Sequence, residues 1–259
     1  MQTGRIATRV LGSGPPIVLT HGTPTSSHLW RHLAPTLAET HTVHLWDLPT
    51  YGDSEGENPT IAQHAATLAE LVDRWGLERP TLIGHDIGGA TILRAHLLHG
   101  TPAARIALLD AAVLAPWVTP VAQHMQRYEQ AYRTMPVHVF GEIVAAHLRT
   151  ASVKPTEDVY LDHFAGEAGR DRYLDHVHGF CEDDTEPVVA KLAEIEVPVR
   201  VLWGAEDQWL SADTGRELAE AIPGAEFTAV PGAGHFLPED APGELAALLR
   251  DWLNDWLSD

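Results

Sequence analysis

The chain of 259 residues carries one cysteine, Cys181, which excludes an internal disulfide and a cysteine-rich metal site. No activating motif surrounds it, so it reads as an ordinary thiol. Lysine is almost absent, with only Lys154 and Lys191, and the formal net charge is −19. A nucleic-acid partner needs a basic face that displaces counterions, and no such face can be built here. Anionic membranes and polyanionic substrates are disfavoured for the same reason, which leaves a small neutral or weakly polar organic molecule as the expected partner. Long apolar runs are missing too. None approaches the roughly 20 residues that cross a bilayer, and no signal-peptide pattern opens the chain. The expectation is a soluble, cytoplasmic protein, monomer or homodimer, without repeats. Nothing in the sequence calls for a metal or a cofactor.

What is present is a hydrophobic content of 44%, ample for a packed core. Short apolar runs end at turn residues, as buried parallel strands do. They are Ile17–Thr20, Thr42–Trp46, Thr81–Ile83, Ile106–Leu109, Val199–Trp203 and Ala225–Val230. Between them lie stretches with helical spacing. In TIAQHAATLAELVDRWG, Ile61, Ala65, Leu68, Leu71, Val72 and Trp75 recur every three or four residues, and Gly76 is the stop. The closing ELAALLRDWLNDWL behaves alike. Such alternation predicts an α/β fold, a mostly parallel sheet covered by helices on both faces. Gly4 to Gly12 can supply an antiparallel hairpin at its edge. The alternation breaks between about Ala112 and Pro198, a helical interval holding four of the five tyrosines. It predicts a helical lid, residues 112–198, inserted into a core of residues 1–111 and 199–259. Lids of this kind lie over the carboxyl ends of the strands, where such folds place their chemistry.

One of those strand ends reads GHDIGG, residues 84–89. Gly84, Asp86 and Gly88 fit the pattern glycine-x-nucleophile-x-glycine at a sharp strand-to-helix turn. Its nucleophile takes a left-handed backbone conformation, which aspartate tolerates better than most residues. The glycines leave room for the bend, and the helix amino terminus favours the negative charge. Two further strand ends complete the order nucleophile, acid, histidine. Asp207 follows VRVLWG, and His235 follows AEFTAV in PGAGHF. A fourth strand end, His21-Gly22-Thr23-Pro24, offers the Thr23 N–H, which can join that of Ile87 in an oxyanion hole. The isomer of the Thr23–Pro24 bond is open at this point.

These blocks resemble the α/β-hydrolase superfamily over nearly the whole chain, least in the lid. HGTPTSSHLWR, WDLPTYGDSEG, GHDIGG, WGAEDQWL and GAGHFLPED are similar to the haloalkane dehalogenase and epoxide hydrolase branch. The chain departs from that branch in places. Where dehalogenases carry Asn and Trp side chains that hold the departing halide, it has Thr23 and Ile87. Where the family's D-x-P-G-x-G has its first glycine, it has Thr50. Fluoroacetate-type enzymes carry an arginine beside the nucleophile, and none stands here. Asp110, at the end of IALLD, occupies the position where some relatives keep their acid, though Asp207 is the preferred assignment.

An aspartate nucleophile points to a particular chemistry. A serine that displaced a leaving group at a saturated carbon would give an inert ether, whereas a carboxylate gives an ester that water can hydrolyse. Asp86 would attack unaided, and His235, oriented by Asp207, would then activate water. The resemblance implies epoxide hydrolysis first, with haloalkane dehalogenation as the near alternative. A catalytically silent ligand receptor is the reading from another class. An epoxide oxygen leaves as a basic alkoxide and needs a proton, which epoxide hydrolases supply from the lid. Tyr132 and then Tyr173 are the candidates, with His178 as a substitute. For a halide, the indole N–H of Trp117 is the candidate donor.

Overall fold

Every apolar run expected to be a strand is one. In the computed structural model, which describes residues 4–57, 60–154 and 158–254, they form β2 (Pro16–Thr20), β3 (Thr42–Trp46), β4 (Thr81–His85), β5 (Arg105–Leu109), β6 (Val199–Gly204) and β7 (Glu226–Val230). A further strand, β1 (Thr8–Leu11), completes a seven-stranded sheet in the order β1-β3-β2-β4-β5-β6-β7. All neighbours are parallel except β1 and β3, which pair antiparallel with Thr8 opposite Trp46. The hairpin expected from Gly4 to Gly12 is therefore a single edge strand. Its partner is β3, and the preceding Arg5 is held by the Glu55 carboxylate instead of folding back.

The strands alternate between two cores, as a sheet covered on both faces requires. Ile17, Leu19, Val43, Leu45 and Leu202 belong to one, and Val18, Trp46, Leu82, Leu108 and Val201 to the other. The longer helices are α1 (Ile61–Arg74), α2 (Ile87–His99), α3 (Pro120–Arg127), α4 (Val137–Leu148), α5 (Gly166–His178), α6 (Ala212–Ala221) and α7 (Pro242–Asn254). Thr60 caps α1 by accepting the Gln63 N–H, and Gly76, with positive φ, follows the end. Helix α7 lies on the first core through Leu245 and Leu249. The last residues of the closing stretch, from 255, lie outside the described residues.

Between β5 and β6 the described residues contain helices and no strand. This lid is continuous with the second core, where Phe140, Phe164, Tyr173 and Leu174 are buried. A carboxylate ties its base to the loop after β7. Asp240 accepts N–H bonds from Val153 (3.0 Å) and Gly234 (2.8 Å), and the Ser152 hydroxyl as well. Among the described residues, no helix is long and apolar enough to cross a membrane.

Helix α1 also buries an unusual residue. His64 is fully buried and neither ring nitrogen has a hydrogen-bond partner among the described residues. Burial lowers its pKa from 6.5 to about 3, with repulsion from His21 adding to the effect. In the unfolded chain the same ring takes up a proton near pH 6.5, so stability is intact above that pH and drains away as pH falls toward 3. Replacing His64 by Leu should flatten the stability–pH curve between pH 4 and 6 by up to about 1.4 kcal/mol per pH unit. Urea unfolding of both proteins at pH 4.5, 5.5 and 7.5 checks this, and equal slopes would contradict it.

Candidate active site

The turn after β4 is as tight as its glycines suggest. Asp86 has φ 52° and ψ −126°, and α2 starts at the next residue. A Cβ on Gly84 would strike the Gly88 backbone, one on Gly88 would strike the carbonyls of Thr20 and His21, and one on Gly22 would strike Asp86 itself. The chain therefore packs backbone against backbone around the bend that carries Asp86.

Three strand ends converge on it. The Thr23 N–H, past β2, donates to Asp86 Oδ2 at 2.7 Å. The His235 ring, past β7, holds Nε2 at 3.7 Å from Asp86 Oδ1, and that nitrogen has no hydrogen-bond partner among the described residues. Behind it, Nδ1 lies 2.9 Å from Asp207 Oδ2, both side chains being fully buried. The other Asp207 oxygen accepts the N–H groups of Trp209 (2.7 Å) and Leu210 (3.0 Å), which locks the carboxylate in place. Asp110 is also fully buried, but one of its oxygens accepts the Gly204 N–H at 2.7 Å and the other has no partner among the described residues. Of the two candidate acids, Asp207 is the one hydrogen-bonded to His235.

Burial dominates the electrostatics. It pushes the Asp86 pKa from 3.8 up to about 6, against the pull of His235 and of the Thr23 and Ile87 N–H groups. For His235 burial is again the largest influence and favours the neutral ring. The Asp207 carboxylate and then Asp86 outweigh it, so the pKa is raised.

A family model described as alpha/beta hydrolase fold matches residues 15–242. The chain belongs to that family. It is 26% identical to epoxide hydrolase A of Mycobacterium tuberculosis, over 98% of this chain and 96% of that protein. It is 28% identical to a fluoroacetate dehalogenase of Burkholderia sp, over 94% and 88%. Among solved structures, an alpha/beta hydrolase fold protein from Burkholderia ambifaria superposes with a TM-score of 0.92 at 34% identity, covering 96% of this chain and 94% of that one. These relatives fit the epoxide hydrolase and dehalogenase branch, and the chain is a hydrolase.

In this hydrolase Asp86 and His235 face a narrow pocket under the lid, with a cavity volume of about 30 Å³. That is room for a few atoms, so a substrate is small or must displace side chains. The wall is apolar, with Val118, Ala122, Met125, Val177, Phe180 and Leu210, and no lysine or arginine reaches it among the described residues. The lid candidates separate here. Tyr173 lines the pocket, is buried, and makes no hydrogen bond among the described residues; burial raises its pKa, which keeps the phenol protonated. Tyr132 does not line the pocket, because its hydroxyl is 2.7 Å from His124 Nδ1 on the outer side of the lid. His178 is exposed beside Glu129. Trp117 contributes its ring to the wall, but its indole N–H donates to Thr185 Oγ1 at 3.1 Å.

Among the wall residues that sequence reasoning missed are His147, His176 and Trp209. Trp209 lies two residues past Asp207 and was open to notice. The two histidines sit on lid helices whose spacing does not tell which turn faces the cavity. His176 stacks on buried Tyr51 (3.7 Å, 13°) and lies 3.1 Å from the Thr50 carbonyl. Thr50 keeps positive φ (73°) where the family has glycine, a strained conformation for a β-branched residue. The Thr23–Pro24 bond is cis.

Because the Asp86 carboxyl stays protonated to about pH 6 in the fold but only to 3.8 in the free chain, its folded-state contribution falls as pH rises through that window. Asp86→Asn should thus be more stable than wild type, by little at pH 4 and by on the order of 3 kcal/mol at pH 8. Denaturation at the two pH values measures it. A variant no more stable at pH 8 than wild type would contradict the burial argument.

Proposed function

We propose that this hydrolase opens small, neutral epoxides to diols through an ester on Asp86. The observation that carries the reading is the Asp86 carboxylate at its left-handed turn, one oxygen on the Thr23 N–H and the other beside His235. In the first step Asp86 Oδ1 attacks an epoxide carbon, the ring C–O bond breaks, and the Tyr173 hydroxyl gives its proton to the leaving oxygen. In the second step His235 takes a proton from water, and the resulting hydroxide adds to Asp86 Cγ. The oxyanion then sits on the N–H groups of Thr23 and Ile87. Collapse expels the diol and restores the carboxylate, while the His235 proton returns to the tyrosine oxygen. Asp207 keeps the Nδ1–H tautomer of His235 and supports its positive charge. Residues 112–198 act as the cap that shapes the pocket.

Three features favour an epoxide over a halide or a carboxylate-bearing substrate. A halide requires N–H donors, yet the N–H groups of both pocket tryptophans are already bonded, Trp117 to Thr185 and Trp209 to Thr150. An alkoxide requires an acid, and Tyr173 is protonated and unengaged among the described residues. A carboxylate such as fluoroacetate requires a cation, and the wall has none.

The reading is tested by separating the two steps. Asp86 needs no base to attack, whereas the ester needs His235 to hydrolyse. Incubated with a panel of terminal epoxides, His235→Gln protein should gain the mass of one whole epoxide, and peptide mapping should place it on Asp86. Epoxides that wild type converts but that leave no adduct in this variant would overturn the proposal. The lid assignment has its own check. Tyr173→Phe should slow formation of the adduct at least about tenfold, and Tyr132→Phe should leave it within about twofold. The reverse ranking in single-turnover kinetics would move the acid to Tyr132.

A further inference from the structure

Three aromatic rings stack beside Asp86. The indole of Trp209 stacks with the His147 ring (centroids 4.3 Å apart, planes at 8°) and packs against the His235 ring (4.8 Å, 30°). It is anchored at every edge. The indole N–H donates to Thr150 Oγ1 at 2.9 Å, and that hydroxyl donates to the His147 carbonyl at 2.6 Å, on the last turn of α4. The backbone N–H holds Asp207. Trp209 thus touches the lid, the acid and the histidine at once.

We propose that Trp209 is a positioning residue for His235: it fixes the plane of the imidazole and stabilises the ring when it carries a proton. An indole face attracts a cation through its quadrupole, most strongly where water is excluded. His147 leaves that role to His235, since burial and then repulsion from His235 lower its pKa from 6.5 to about 4. The other groups that face His235 are Asp207, Asp86 and His85, whose ring is 5.0 Å away and is held neutral by burial. Two carboxylates and the indole face therefore surround the imidazole that takes the proton from water. The catalytic consequence rests on the role proposed above for His235, but the geometry does not.

The experiment reads the ring without any substrate, so it can fail while that role stands. Histidine-labelled wild type, Trp209→Phe and Trp209→Leu are titrated by NMR. Trp209→Leu should lower the His235 pKa by about one unit, and Trp209→Phe, which keeps an aromatic face, should recover most of the difference. In wild type the fluorescence absent from Trp209→Phe should be quenched with the same midpoint, because an imidazolium quenches a stacked indole. If the leucine variant fails to fold, the fluorescence difference decides. An unchanged His235 pKa in Trp209→Leu, or a fluorescence difference with no inflection at that midpoint, overturns the proposal.

Discussion

A carboxylate buried at a left-handed turn is the constraint on which the rest of this site depends. Asp86 is displaced from solvent and from relaxed backbone at once, and both cost free energy that the surrounding fold must offset. The offset is visible in the sheet. Gly22, Gly84 and Gly88 allow backbones to meet where any Cβ would collide, and the Thr23 N–H holds one carboxylate oxygen. The raised pKa of Asp86 places the loss of its negative charge on the acid side of about pH 6.

The histidine side of the site is held by different means. Four backbone and side-chain donors on Asp240 join the lid's base to the loop that carries His235, and the Phe236 N–H reaches the Ala151 carbonyl at 2.8 Å. Glu239, next in sequence, takes Arg31 and Tyr160. Lid and base are therefore one construction. A pocket of about 30 Å³ between them fits a fold in which the lid is packed into the core and not laid over it.

Much of this was legible in the sequence, for physical reasons that differ by element. The strands were readable because parallel strands buried on both faces need short unbroken apolar runs, as in Val199–Trp203. Asp86, Asp207 and His235 were readable as candidates because each stands at a strand end, where chain order alone limits the choices. The edge strand was not, since Thr8–Leu11 is largely exposed and takes its register from β3. Nor were the lid residues. Tyr132 and Tyr173 look alike in a helical pattern, and only packing turns one outward to His124 and the other into the pocket. Thr50 is the reverse case, a residue that breaks the glycine pattern while the backbone keeps its positive φ.

In the mechanism proposed above, the oxygen added to the substrate comes from Asp86 and not directly from water. A single turnover in water enriched in oxygen-18, with enzyme in excess over an epoxide that wild type converts, tests it most directly. The account predicts a diol whose new hydroxyl is unlabelled and an Asp86 carboxyl that has gained one labelled oxygen, read by mass spectrometry of the product and of the peptide. A labelled diol from that first turnover, with Asp86 unlabelled, would contradict it.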